Sequence, residues 1–249
     1  NRKDIRIGDT VKIERAGDVI PHVISVDKNL RDENVKKFIF PKKCPCGFET
    51  IKEFNKVTKK IDAVRRCPDI GFDCNRIAKE KLKHFVSKDA LNIEGLGKKV
   101  IEKFWELRII RKPQDIFSLN YNKISGLEGW GKLSVNNLRN SIEKSKTVTL
   151  QKFIYSLGIR HIGAENAKII SDNLKNISSF IEIIKTHKFD KFLNIDGIGE
   201  TQINSLKNFF SNKNSLIILE ELTKILEIIP EKQKSLSGSL SDLTFMFTG

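Results

Sequence analysis

Gly95-Leu96-Gly97-Lys98 sets two glycines around one apolar residue, directly ahead of Val100, Ile101, Phe104 and Trp105 at helical spacing. The arrangement recurs as Gly129-Trp130-Gly131-Lys132 and Gly197-Ile198-Gly199-Glu200, with a looser copy, His161-Ile162-Gly163-Ala164. The final glycines, 97, 131, 163 and 199, stand 34, 32 and 36 residues apart. Such regular spacing marks an internal repeat, and each copy reads as helix, tight turn, helix.

That is the pattern of a helix-hairpin-helix motif. Its glycines permit positive φ and close approach of the backbone to a ligand, and the helix that follows presents unpaired N–H groups at its positive end. This chemistry captures phosphate. Backbone donors read no bases, so the expected partner is duplex DNA, held without sequence preference and with strong salt dependence. Gly95, Gly97, Lys98, Gly129, Gly131, Lys132, Gly163, Gly197 and Gly199 are the expected contacts. Leu96, Trp130, Ile162 and Ile198 would plug the space between paired helices. His161 replaces the first glycine of the third copy, which leaves two readings for it, a phosphate contact through Gly163 or a packing copy with no phosphate contact.

Upstream of the repeats the pattern differs. Thr10-Val11-Lys12-Ile13-Glu14 alternates, Ala16-Gly17-Asp18 supplies a turn, and Val19 to Val26 continues as a second strand. Two strands alone are marginal in water, so the piece is expected to need a partner sheet. All four cysteines follow: Cys44-Pro45-Cys46-Gly47, then Cys67 after twenty intervening residues and Cys74 after six more. Two close pairs suit a closed tetrahedral zinc site, in which metal replaces a core too small to fold alone. The first pair has one intervening residue where two to four are usual, which strains chelation by both thiolates. Downstream, Pro230 and the Lys/Ser/Gly stretch to 239 read as a linker, and Leu243 to Gly249 as the first strand of another domain. The chain begins with Asn and stops just after that strand, so both ends are expected to be cut.

The composition is basic: 45 Lys and Arg against 31 Asp and Glu, a net +14. Residues 41–84 carry 12 basic and 6 acidic residues, the densest excess, and include Lys42, Lys43, Lys52, Lys56, Lys59, Lys60, Arg65 and Arg66. A polyanionic partner fits this balance. No run approaches the roughly 18 apolar residues of a membrane span, and no signal peptide is evident. A soluble intracellular protein is expected, in which a metal site is favoured over disulfides.

Taken in order, these parts resemble the C-terminal half of bacterial NAD-dependent DNA ligases. The resemblance rests on Gly8-Asp9-Thr10-Val11 with Arg15-Ala16-Gly17-Asp18-Val19-Ile20-Pro21, the cysteine quartet, Lys83-His84-Phe85-Val86-Ser87 leading into Ala90 to Gly97, Gly158-Ile159-Arg160-His161-Ile162-Gly163, and Phe245-Met246-Phe247-Thr248-Gly249. It implies a multidomain, mainly α chain: the last strands of an OB β-barrel (1–40), a four-Cys zinc finger (41–84), a helix-hairpin-helix domain of four repeats (85–229), a linker (230–239) and the opening strand of a BRCT domain (240–249). It implies a DNA contact for Arg15, structural zinc on Cys44, Cys46, Cys67 and Cys74, nicked duplex DNA as partner, a monomer, and the bacterial cytosol as location. The family's lysyl-adenylate motif, Lys-x-Asp-Gly, is missing; Lys60-Ile61-Asp62-Ala63 lacks the glycine. No catalytic residue is therefore expected in this chain, and NAD and magnesium would bind outside it. The competing expectations are a stand-alone hairpin module from a split or decayed gene, and a hairpin-bearing repair nuclease, for which no paired carboxylates are seen.

Overall fold

The computed structural model describes residues 3–16, 20–55, 59–68, 71–174 and 176–231. The linker and terminal strand expected beyond Pro230 lie, from residue 232 on, outside the described residues, as do Lys56 and the turn residues 17–19. The chain forms two compact units, 1–68 and 69–249.

In the first unit, β1 (Val11–Ala16) and β2 (Ile20–Val26) pair antiparallel, as their alternation predicts. A second antiparallel pair, β3 (Ile51–Asn55) and β4 (Lys60–Arg66), falls within the cysteine segment, where the sequence suggested no strand. A register shift lies between Lys52 and Phe54, as one does between Lys12 and Ile13 in the first pair. The sequence conceals β3 because its apolar residues Ile51 and Phe54 stand three apart, off the two-residue period by which strands are recognised.

No apolar residue among the described residues of this unit is buried, and Ile7 and Ile39 are 78% and 82% exposed. The need for a partner surface is thus visible in the β1–β2 pair, where Ile13, Ile20 and Ile24 face solvent. Polar chemistry ties the piece together instead. Arg31 donates from Nε to Asp9 Oδ1 and from Nη2 to Asp9 Oδ2, both at 2.8 Å, and from Nη1 to Asp4 Oδ2 at 2.9 Å. The Arg6 backbone N–H donates to Asp9 at 2.7 Å, and Arg6 Nη1 to the Val35 carbonyl at 2.8 Å. A bidentate guanidinium–carboxylate pair of this kind fixes direction as well as distance.

Arg31 holds the Asp9 and Asp4 carboxyls below their ordinary range. A depressed carboxyl stabilises the folded state above its unfolded pKa, about 4, and that contribution is lost as pH falls through the depressed value. Asp9→Asn should therefore open this unit to protease at neutral pH. The difference from the parent chain should vanish near pH 2, as measured by cleavage rates across the range.

The second unit is helical: α1 (Asn75–Phe85), α2 (Lys98–Glu106), α3 (Tyr121–Ser125), α4 (Lys132–Ser145), α5 (Leu150–Ser156), α6 (Ala164–Leu174), α7 (Ile177–Lys185), α8 (Glu200–Ser211) and α9 (Lys213–Ile225). Its core runs without a break from Ala78 to Leu226, with Phe85, Phe104, Phe153, Phe180, Phe192 and Phe210 fully buried. Helical character ends at Ile225 rather than at the expected Ile229. Residues Glu227–Ile229 form β6, which pairs parallel with β5 (Thr147–Thr149) between α4 and α5. The Glu227 N–H donates to the Lys146 carbonyl at 2.8 Å, so the last strand is tied to the midpoint of the repeat array.

Lys83 and His84, singled out in the sequence, are staples inside this unit. Lys83 bridges Glu102 and Glu80, each at 2.7 Å. His84 Nε2 donates to the Tyr155 carbonyl at 2.7 Å and stacks edge-on against the Tyr155 ring. Gly158, at φ +61°, lies against His84, where a Cβ would come within 3.3 Å of the imidazole. Phe85 and Val86 are core.

Candidate nucleic-acid interface and metal centre

Each repeat builds the same apex, although only the second and third have a regular α-helix on both sides, α3 with α4 and α5 with α6. The fourth is entered by a 3-10 turn, Phe189–Asn194, and the first by turns after Ser87. The plug residues Leu96, Ile162 and Ile198 are buried and Trp130 packs partly buried with its ring 5.4 Å from Phe104. The glycines on either side of each plug are exposed.

The two glycines of a pair do different things. The first takes a left-handed backbone, φ +90° at Gly95, +83° at Gly129 and +86° at Gly197, which side-chain-bearing residues rarely adopt. His161 occupies the equivalent place at φ +60°. Its carbonyl accepts from Asn166 Nδ2 at 2.9 Å, and its Nδ1 lies 3.0 Å from Ser205 Oγ. The third copy, expected to deviate, thus keeps the shared backbone; histidine tolerates the left-handed region better than most residues.

The second glycine has no such need. Gly97 sits at φ −64°, ψ 170° and Gly131 at φ −90°, ψ 174°, open to any residue. A Cβ built on Gly97, Gly131 or Gly163 would meet nothing within 4 Å. Its carbonyl accepts the first bond of the following helix, from Ile101, Val135, Ala167 and Ile203 in the four repeats. Helices α3, α5, α7 and α9 begin at Asn or Thr side chains that accept an N–H of the first turn; α2 and α4 begin at bare glycine with no side-chain cap. Among the described residues their first-turn N–H groups thus have no capping side chain.

Charge distinguishes the four apices. Lys98 and Lys99 open α2 and Lys132 opens α4, whereas Glu165 and Glu200 sit in the first turns of α6 and α8. At the fourth apex the Gly199 N–H already donates to Gln202 Oε1 at 3.2 Å. Sequence spacing missed this inequality, although the identity of the residue after each pair carries its signal.

The cysteines converge. The Sγ atoms of Cys44, Cys46, Cys67 and Cys74 all lie within 4.8 Å of one another, and none is in a disulfide. Cys46 and Cys67 are 3.6 Å apart, against about 3.8 Å for two thiolates on a tetrahedral ion with bonds of about 2.3 Å. The tight first pair is accommodated by a turn in which the Gly47 N–H donates to the Cys44 carbonyl and the Cys44 N–H to the Phe48 carbonyl, both at 2.8 Å, with Gly47 at φ +96°. Cys67 directly follows β4, and Cys74 caps α1. This set of sulfurs could hold a metal ion.

Of the basic residues near the cysteines, Arg66 is committed to Asp62 and Arg65 donates to the Thr50 carbonyl at 3.1 Å; Lys42, Lys43, Lys52, Lys59 and Lys60 are exposed. The pairing of Asp62 with Arg66, which holds its carboxyl below the ordinary range, leaves Lys60-Ile61-Asp62-Ala63 as an ordinary strand. Arg15 is exposed on β1. No helix among the described residues is long and apolar enough to cross a membrane.

Fold and sites together define a mainly helical helix-hairpin-helix protein with a cluster of four cysteines that could hold a metal ion. Residues 152–219 match the family model of the helix-hairpin-helix motif, and residues 1–35 that of the NAD-dependent DNA ligase OB-fold domain. The chain is similar to a DNA ligase of Pelagibacter ubique, 60% identical over 249 residues, covering 100% of this chain and 37% of the relative. DNA ligases of Wolbachia pipientis wMel, 40% identical over 256 residues, and of Sulfurihydrogenibium sp., 40% over 248, are covered to 38% and 34% while 100% and 99% of this chain is aligned. The chain aligns along its whole length with these DNA ligases and spans a little over a third of their length, the C-terminal part.

Proposed function

We propose that this chain is the DNA-gripping portion of a bacterial NAD-dependent DNA ligase acting at nicks in duplex DNA. One observation carries the reading: a glycine repeated at four exposed helix starts, where in the first three repeats neither φ nor internal packing asks for it. Open space over N–H groups that no side chain caps at Gly97 and Gly131 suits a phosphate oxygen approaching the backbone. The first and second apices, with Lys98, Lys99 and Lys132, are the principal phosphate holders; Gly163, Gly197 and Gly199 of the more acidic apices contribute less. Arg15 adds a contact from the strand pair. Alignment of the whole chain to one part of a single family favours this over a stand-alone hairpin module.

The cysteine quartet would hold structural zinc, which supplies cross-linking here and no chemistry on DNA. Division into an OB segment (1–40), zinc finger (41–84), hairpin domain (85–229), linker and BRCT strand follows from the same reading, as do a monomeric state and a cytosolic location. Nucleotidyl transfer from NAD, with magnesium, would take place outside this chain. Its own residues hold and orient the duplex so that a 5′-phosphate and a 3′-hydroxyl stay in register.

The test is fluorescence anisotropy with a labelled 20-base-pair duplex, nicked and intact, over a salt series. If Lys98, Lys99, Lys132 and Arg15 each neutralise one phosphate, the slope of log K against log salt is about −3.6. Absence of duplex binding at about 50 mM salt sinks the reading.

A further inference from the structure

We propose that residues 36–43 form a second nucleic-acid contact, one that takes the unstacked bases of single-stranded DNA rather than duplex backbone. The inference rests on the reading of this chain as a DNA-binding protein. The segment, Lys36-Lys37-Phe38-Ile39-Phe40-Pro41-Lys42-Lys43, is exposed at all eight positions. Phe38 and Phe40 are 50% and 59% exposed, with ring centroids 4.9 Å apart and planes at 84°. This edge-to-face pair leaves ring faces open to a further aromatic partner.

The two ends of the segment are fixed. Arg6 holds the Val35 carbonyl on one side. On the other, Thr50 donates from its backbone N–H to the Lys42 carbonyl at 2.7 Å and from Oγ1 to the same oxygen at 2.8 Å. The aromatic pair is therefore held out between anchors rather than dangling, which lowers the ordering cost on binding. No acidic partner is found for the ammonium groups of Lys36, Lys37, Lys42 and Lys43 among the described residues.

Aromatic faces bracketed by lysines on both sides are the chemistry of single-strand binding: the rings stack on bases of any sequence while the cations track the phosphates. Intact duplex offers no free base face. Frayed ends, gaps and strand breaks do.

The experiment compares the full chain with Phe38→Ala/Phe40→Ala, Phe38→Leu/Phe40→Leu and Phe38→Tyr/Phe40→Tyr. Each is titrated by anisotropy against a labelled twenty-residue oligothymidylate and an intact 20-base-pair duplex. Expected is a loss of about tenfold or more on oligothymidylate for the Ala and Leu pairs, retention by the Tyr pair, and duplex binding within twofold for all three. Replacing the four lysines by Gln should flatten the single-strand salt slope by up to about 3. Leu retaining full affinity, or equal losses on both probes, overturns the inference. So does a parent chain that self-associates at micromolar concentration while the Ala pair stays monomeric, which assigns the segment to a contact between copies. A parent chain that binds duplex but not oligothymidylate removes this inference alone; failure on both probes removes the proposed function with it.

Discussion

Gly97→Asp combined with Gly131→Asp is expected to leave the second unit as stable as before, or slightly more so, while weakening duplex binding at least tenfold. The signs separate because each glycine starts a helix from a backbone conformation that any residue adopts, with open space where the side chain would go. Asp is a better N-cap than Gly by a few tenths of a kcal/mol, and its charge complements the helix dipole by about 0.3–1 kcal/mol. It would occupy the N–H groups proposed for phosphate and repel the phosphate itself; a hydrogen bond to a charged group contributes about 1.5–3 kcal/mol. Thermal unfolding and anisotropy on one preparation measure both. Unchanged affinity would assign these glycines to turn geometry. Gly95→Asp is the contrasting control: at φ +90°, with Leu138 Cδ1 3.4 Å from the new Cβ, it should lower the melting temperature.

Metal removal is the second large effect. A chelator should unfold residues 41–68 and leave the helical unit intact, and Cys67→Ser should do the same without chelator. The first unit has no buried apolar residue among those described to carry it otherwise. Structural zinc in small domains contributes about 10–16 kcal/mol of apparent folding free energy, as much as an ordinary domain has in total. Metal analysis should return one zinc per chain. Limited proteolysis should then show rapid cleavage between 41 and 68 in the stripped protein, with helical circular dichroism largely retained. Resistance of that segment after complete stripping would show that the sulfurs cluster without holding it.

What could be read in advance was local. Strands β1 and β2 announced themselves because Val11 and Ile13 alternate with Lys12 and Glu14; β3 did not, because its apolar residues Ile51 and Phe54 stand three apart. The third hairpin looked deviant because His161 stands where glycine is expected, yet the backbone there is left-handed all the same, tied by Asn166 five residues on. The Asp4, Asp9 and Arg31 cluster left no trace, since its partners lie 22 and 27 residues apart and no spacing rule reaches that far.

From sequence alone came the four-fold repeat, its glycines, the lysines that open two of the helices and the family to which all of this points; turns, caps and periodicity are written within a few neighbouring residues. Tertiary structure alone separated the glycines that a left-handed backbone demands from those that leave room for a ligand, brought four sulfurs within 4.8 Å, and left the aromatic pair at Phe38 and Phe40 uncovered. Those outcomes depend on chain closure over twenty residues and more, where packing and solvent access, rather than local preference, decide what a side chain meets.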